Sequence, residues 1–161
     1  MQNGGWIFEE YFGGVVEKEY DNLWVESYIV TLFISYLKRF CTKNNIKLKF
    51  IREYPYGNGQ RCDLHISTTK GDITDNHFIE FKYYWEGSAN NFSKQILDDR
   101  DKLLTLRDKG KLYIFCFHHK NFKETAEKLH TQLESSIIIS KFIASHWFII
   151  RYVYQKLGHQ E

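Results

Sequence analysis

The stretch that most constrains this chain is residues 46–85, which read as three strands joined only by tight connections. "IKLKFIREYPY" (46–56) alternates, with Lys47 and Lys49 opposite Leu48 and Phe50. "GNG" (57–59) is a turn. "RCDLHIS" (61–67) sets Cys62, Leu64 and Ile66 on one face and Asp63 and His65 on the other. "TTKGDITDN" (68–76) is a polar hairpin connection, and "HFIEFKYYW" (77–85) is the third strand. Connections this short join antiparallel neighbours, because a parallel pair needs a crossover of a dozen or more residues.

The flanks supply helices. Leu23, Trp24, Tyr28, Leu32, Phe33, Tyr36, Leu37 and Phe40 recur at helical spacing over 21–42. Asp21 or Asn22 caps the start and "TKNN" (42–45) ends it. A second helix is expected over 91–110, with Phe92, Ile96, Leu97, Leu103, Leu104 and Leu106 as its stripe and Gly110 as its stop. "KLYIFCF" (111–117) is a continuous apolar run of the kind buried on both faces of a sheet. A third helix is expected over 120–136 and a last strand over 146–154. Residues 1–20, with two Gly pairs and no clear period, read as an arm or lead-in element before one domain over 21–161. Three antiparallel strands followed by a crossover helix predict an α/β fold, a mixed central sheet flanked by helices on both faces.

Composition narrows the function. The 161 residues suit a single core. Net charge is only +2, so any nucleic-acid contact must come from a local basic face. The scattered Cys41, Cys62 and Cys116 form no CxxC pair. That argues against a disulfide framework, a four-cysteine zinc site or an iron–sulfur cluster, and for three buried thiols in a reducing cytoplasm. The N-terminus has no basic-then-apolar signal pattern, and the apolar-rich stretch 142–154 is too short and too interrupted to span a bilayer. The expectation is a cytoplasmic protein with no membrane partner.

Two charges interrupt the third strand. Glu80 and Lys82 stand two residues apart, so they share a face, opposite Ile79, Phe81, Tyr83 and Trp85. If this strand pairs with 61–67, Asp63 projects from the same face as Glu80. Two carboxylates at close range repel unless a cation joins them or one is protonated. Mg2+ is the natural cation, since it takes oxygen ligands and needs only one or two protein carboxylates. Mn2+ is expected to substitute for it. Lys82 is then placed to touch a metal-bound water and to offset charge on phosphorus. A purely structural network of these three charges would gain little net stability, because desolvating them is costly.

"RCDLHI" followed by "FIEFK" resembles the signature of the PD-(D/E)XK nuclease superfamily, the restriction-endonuclease-like fold. That signature is an Asp on one strand and Glu-x-Lys on the next, in an α-β-β-β-α-β core. Asp63 matches the Asp, and Glu80-Phe81-Lys82 is the one Glu-x-Lys in the chain. Cys62 stands where the motif has Pro. The resemblance covers roughly residues 21–117. It implies a metal-dependent nuclease that hydrolyses phosphodiester bonds in DNA. Asp63, Glu80 and the main-chain carbonyl of Phe81 would hold the metal, and Lys82 would position or activate water. It also implies a Glu from the first helix, for which Glu26 is the candidate. A Gln after the Glu-x-Lys strand is matched by Gln95, without the aromatic that follows it in other branches.

Further candidates come from position. Glu53, at the end of the first strand, is a possible metal ligand. Arg61, Lys94 and Arg100 are possible phosphate contacts. Most have a plainer reading: Glu26 on the solvated side of its helix, Glu53 in a strand-end salt bridge, and Lys94, Gln95 and Arg100 on an ordinary polar helix face. His65, on the Asp63 face, is an extra ligand or an ordinary surface histidine. Two other functions stay open, a nuclease-like domain that binds nucleic acid or protein without cutting, and an RNA-cleaving nuclease. A homodimer would place two sites to cut two strands. The apolar strand 146–154 would lie either inside the sheet or in a subunit interface.

Overall fold

A computed structural model describes residues 26–84, 89–119, 124, 138–143 and 147–154. In chain order the elements are α1 (Glu26–Lys43), β1 (Lys47–Gly57), β2 (Gln60–Lys70), β3 (Ile73–Tyr84), α2 (Ala89–Leu104), β4 (Lys111–His119), β5 (Ile138–Ile143) and β6 (Trp147–Tyr154). The strands form one mixed sheet in the order β1-β2-β3-β4-β6-β5. β3 and β4 are parallel, joined through α2, and every other pair is antiparallel. The expected α/β fold with a mixed sheet is present. The expected arm over 1–20 and most of the third helix, 120–136, lie outside the described residues.

Helices cover both faces of the sheet. Ile29, Val30, Phe33, Ile34, Leu37, Phe40 and Cys41 of α1 recur at helical spacing and are buried against Leu64, Ile66, Ile79, Phe81, Phe115 and Phe117. On the opposite face, Phe92 and Ile96 of α2, with Leu103 and Leu106, are buried against Phe78, Leu112, Ile114 and Cys116. β4 therefore alternates between two cores, as its continuous apolar run requires. Cys41, Cys62 and Cys116 are all buried, and none is in a disulfide.

Three details depart from the sequence reading, and one alternative that it left open is decided. The 68–76 connection is itself mostly strand: β2 runs to Lys70, β3 starts at Ile73, and Gly71 (φ 61) with Asp72 makes a two-residue turn. The threonines favour this, since Thr69 pairs with Thr74 and their hydroxyls meet at 3.0 Å. α2 stops at Leu104, short of Gly110, and the next residues tighten into turns bonded three residues back, such as Leu106 N–H to Leu103 O at 2.8 Å. β5 answers to no predicted element. β6 is hydrogen-bonded to β4 on one side and β5 on the other, so its main chain lies inside the sheet rather than at an edge.

One backbone distortion shapes the site. Phe50 and Arg52 of β1 lie on the α1 face, Arg52 donating to the Ser27 carbonyl and Thr31 hydroxyl, both at 3.4 Å. Tyr54 and Tyr56 instead pack in the α2-side core. Strict alternation would keep all four together. Glu53, between them, has φ 50, the left-handed region, and turns the strand over. β2 follows its partner. The ladder passes from Arg52 opposite Leu64 to Tyr54 opposite Cys62, and Cys62 joins the α2-side core while Leu64 stays with α1. Cys62 thus leaves the face it was expected to share with Leu64 and Ile66.

Candidate functional site

Asp63 sits where β2 turns over. The ladder between β2 and β3 ends at Leu64 opposite Ile79, so Phe81, two residues further on, has no Cα partner in β2. Its N–H instead donates to Asp63 Oδ2 at 2.6 Å, a charge-assisted bond that satisfies a main-chain donor in a buried strand. This sets the Asp63 carboxylate beside β3.

Glu80 meets it there. Phe81 packs among Phe33, Phe115 and Phe117 on the α1 face, with ring centroids at 5.5, 5.6 and 6.3 Å. That packing commits Glu80 and Lys82 to the other face. Glu80 is only 4% exposed, and its carboxyl is within hydrogen-bonding reach of Asp63. Burial first, then the Asp63 charge and hydrogen bond, then Asp99, hold the Glu80 carboxyl well above the usual carboxylate range. Lys82 offsets this least. A carboxylate pair with one member this buried needs a shared proton or a cation.

Lys82 points to a residue that the strand pattern did not single out. Its Nζ lies 2.8 Å from Asp99 Oδ2. Asp99 is 5% exposed, and its Oδ1 accepts from Lys102 Nζ at 3.0 Å. Oδ2 is ion-paired to Lys82 but off the hydrogen-bond line, so it keeps capacity for a further donor. The signal for Asp99 was present: it stands three residues after Ile96 and four before Leu103, an inward position of the apolar stripe. Tyr56 is a second addition. Its hydroxyl is shut off from solvent without a hydrogen-bond partner among the described residues. Burial, with Glu80, Cys62, Asp99 and Asp63 nearby, pushes it up to about 12. The Cys62 thiol is likewise pushed up to about 12, by burial and then Glu80, so it is no nucleophile at neutral pH.

The remaining candidates are placed as follows. Glu26 opens α1, and its side chain lies outside the described residues. Glu53, Arg61, Lys94 and Gln95 are exposed. No described contact joins these four to the carboxylate pair. Arg100 Nε lies 2.8 Å from the neighbouring Asp101 Oδ1. His65 is held, not open: its ring lies 4.6 Å from Tyr54 and 4.8 Å from Phe78, and Nε2 is 3.2 Å from Asn76 Oδ1.

Among the described residues no group of three or more His, Cys, Asp or Glu side chains converges as a metal cage, and no described helix is long and apolar enough to cross a membrane. The donor set present is two adjacent carboxylates, Asp63 and Glu80. This suits a hard cation that keeps most of its waters, such as Mg2+, and does not suit Zn2+. The chain matches no family model, no curated protein and no solved structure. The site is defined by its own chemistry: an α/β sheet carrying a buried Glu80 carboxyl against the half-buried Asp63, on a strand that also bears Lys82.

Proposed function

We propose that the chain is a Mg2+-dependent nuclease of restriction-endonuclease-like fold, hydrolysing phosphodiester bonds in DNA. The observation that carries the reading is the meeting of Asp63 and Glu80 on one face, with Lys82 two residues along the same strand. The order α1-β1-β2-β3-α2-β4, with β3 and β4 parallel, supports the finer fold assignment.

In this reading Asp63, Glu80 and the Phe81 carbonyl hold the cation, with Mn2+ able to replace Mg2+. The ion, when bound, supplies Lewis-acid polarisation of a phosphate oxygen and a more acidic water. The Phe81 N–H orients Asp63. Burial of the Phe81 ring fixes the height of Glu80 and Lys82 in the sheet. Lys82 positions the attacking water and offsets negative charge gathering on the phosphate. Arg61, Lys94 and Arg100 are candidates for holding neighbouring phosphates. Cutting both strands of a duplex calls for two copies, so a homodimer belongs to this reading and sedimentation equilibrium checks it.

The test is incubation of the full chain with plasmid, linear and single-stranded DNA and with RNA, in Mg2+, Mn2+ or EDTA, beside Asp63→Ala and Lys82→Ala. Cleavage in metal, abolished by EDTA and reduced at least about a hundredfold in both variants, is expected. Cleavage surviving both substitutions overturns the site, and cleavage of RNA alone moves the substrate. One observation favours a second reading, a non-catalytic binding domain: the Lys82 ammonium is already ion-paired with Asp99. No cleavage of any substrate, together with no calorimetric Mn2+ binding, would select it.

A further inference from the structure

We propose that Asp99 is a positioning residue: it gives Lys82 a carboxylate of its own and so leaves the Asp63–Glu80 pair open to a divalent cation. This rests on the nuclease reading of that pair and adds a member to it from α2.

Glu80 and Lys82 share a face of β3, about 7 Å apart along the strand. A lysine side chain is long enough to fold back over that distance. If it did, the site's own ammonium would meet the two carboxylates and compete with any metal ion. α2 prevents this by where it sits. Its inward position at Asp99 brings Oδ2 to 2.8 Å from Lys82 Nζ. Lys102, one turn along the same helix, takes Oδ1 at 3.0 Å. Asp99 is thus buried and held from two sides. Pulling Lys82 away would strand a buried carboxylate on one half-exposed lysine, which is unfavourable. Both lysines thus cluster on Asp99, and among the described residues no ion pair joins either of them to Asp63 or Glu80.

The test is calorimetric titration of Mn2+ into the full chain, with Asp99→Asn, Lys82→Met and the double variant. Asp99→Asn is expected to weaken Mn2+ binding about tenfold when Lys82 is present and less than about twofold in the Lys82→Met background, a non-additive coupling. Equal losses in both backgrounds would mean that Asp99 acts through its charge alone and would overturn the proposal. Wild-type binding unaffected by Asp99→Asn overturns only this inference, whereas a wild type that binds no Mn2+ overturns the metal reading as well. If circular dichroism shows Asp99→Asn unfolded, Lys82→Met decides alone. A gain below about tenfold, which the loss of one charge at a distance allows, supports the proposal, and a gain above about tenfold sinks it, because Lys82 would then have been in contact with the pair.

Discussion

Glu80 sits at 4% exposure with another carboxylate against it, and each of its neighbours accounts for part of that placement. Phe81 buries the strand, Asp63 takes the Phe81 N–H, and Lys82 turns to Asp99. The parity of β3 made Glu80 and Lys82 legible from sequence, since their shared face follows from a two-residue period. Asp99 was not legible in the same way, because its meeting with Lys82 depends on how α2 seats on the sheet. A residue elsewhere in β3 makes the fold acid-sensitive. Burial first, then the Lys111 ammonium, push His77 from 6.5 down to about 4, with Asp75 opposing. Between those values the unfolded chain binds a proton that the folded chain does not. The contribution of His77 is therefore fully present above pH 6.5 and is lost as pH falls from there toward 4. The loss reaches about 3 kcal/mol at most. Urea midpoints measured across this range should fall with pH in the wild type and flatten in His77→Gln. Equal slopes would place the acid sensitivity elsewhere.

At the scale of elements, two backbone positions decide geometry that the side-chain pattern alone did not reveal. Glu53 is a non-glycine residue at φ 50, and it turns β1 over so that Tyr54 and Tyr56 reach the site face. Glu53→Gly removes the steric penalty of that conformation and should stabilise the fold by up to about 1 kcal/mol, while Glu53→Val should destabilise it by more than that. The same variant checks the ligand expectation: unchanged Mn2+ affinity in Glu53→Gly excludes Glu53 from the metal site. Gly110, between α2 and β4, is tight for a different reason. A Cβ there would stand 2.5 Å from the Asn76 carbonyl oxygen in β3. Gly110→Ala must push main chain apart and should cost about 1–3 kcal/mol, read as a lower denaturant midpoint. The sequence marked Gly110 as a helix stop, but the helix ends earlier and the glycine is required by a close approach to β3. No local pattern reports that approach.

At the scale of the whole molecule, one sheet separates two cores, and the candidate site lies on the α2 side. Phe81, fully buried on the α1 side, touches three aromatic rings. Phe81→Ala should cost about 3–5 kcal/mol and Ile96→Ala, in the other core, about 2–5 kcal/mol. Because both cores share β3 and β4, each variant should unfold in one transition with an unchanged denaturant slope. Two separated transitions would show that the faces fold independently. The chain's local periods determined part of this on their own: which residues of β3 face which way, and that α1 and α2 are amphipathic helices, although the buried face of α1 includes Ile29, Val30, Ile34 and Cys41, which the expected stripe left out. These follow from two- and 3.6-residue repeats that any short window displays. The tertiary structure alone decided that β1 and β2 turn over at Glu53 and Asp63, that β6 lies inside the sheet, and that Lys82 pairs with Asp99. Each of those depends on elements distant in sequence packing together, and burial there decides which charges must find one another.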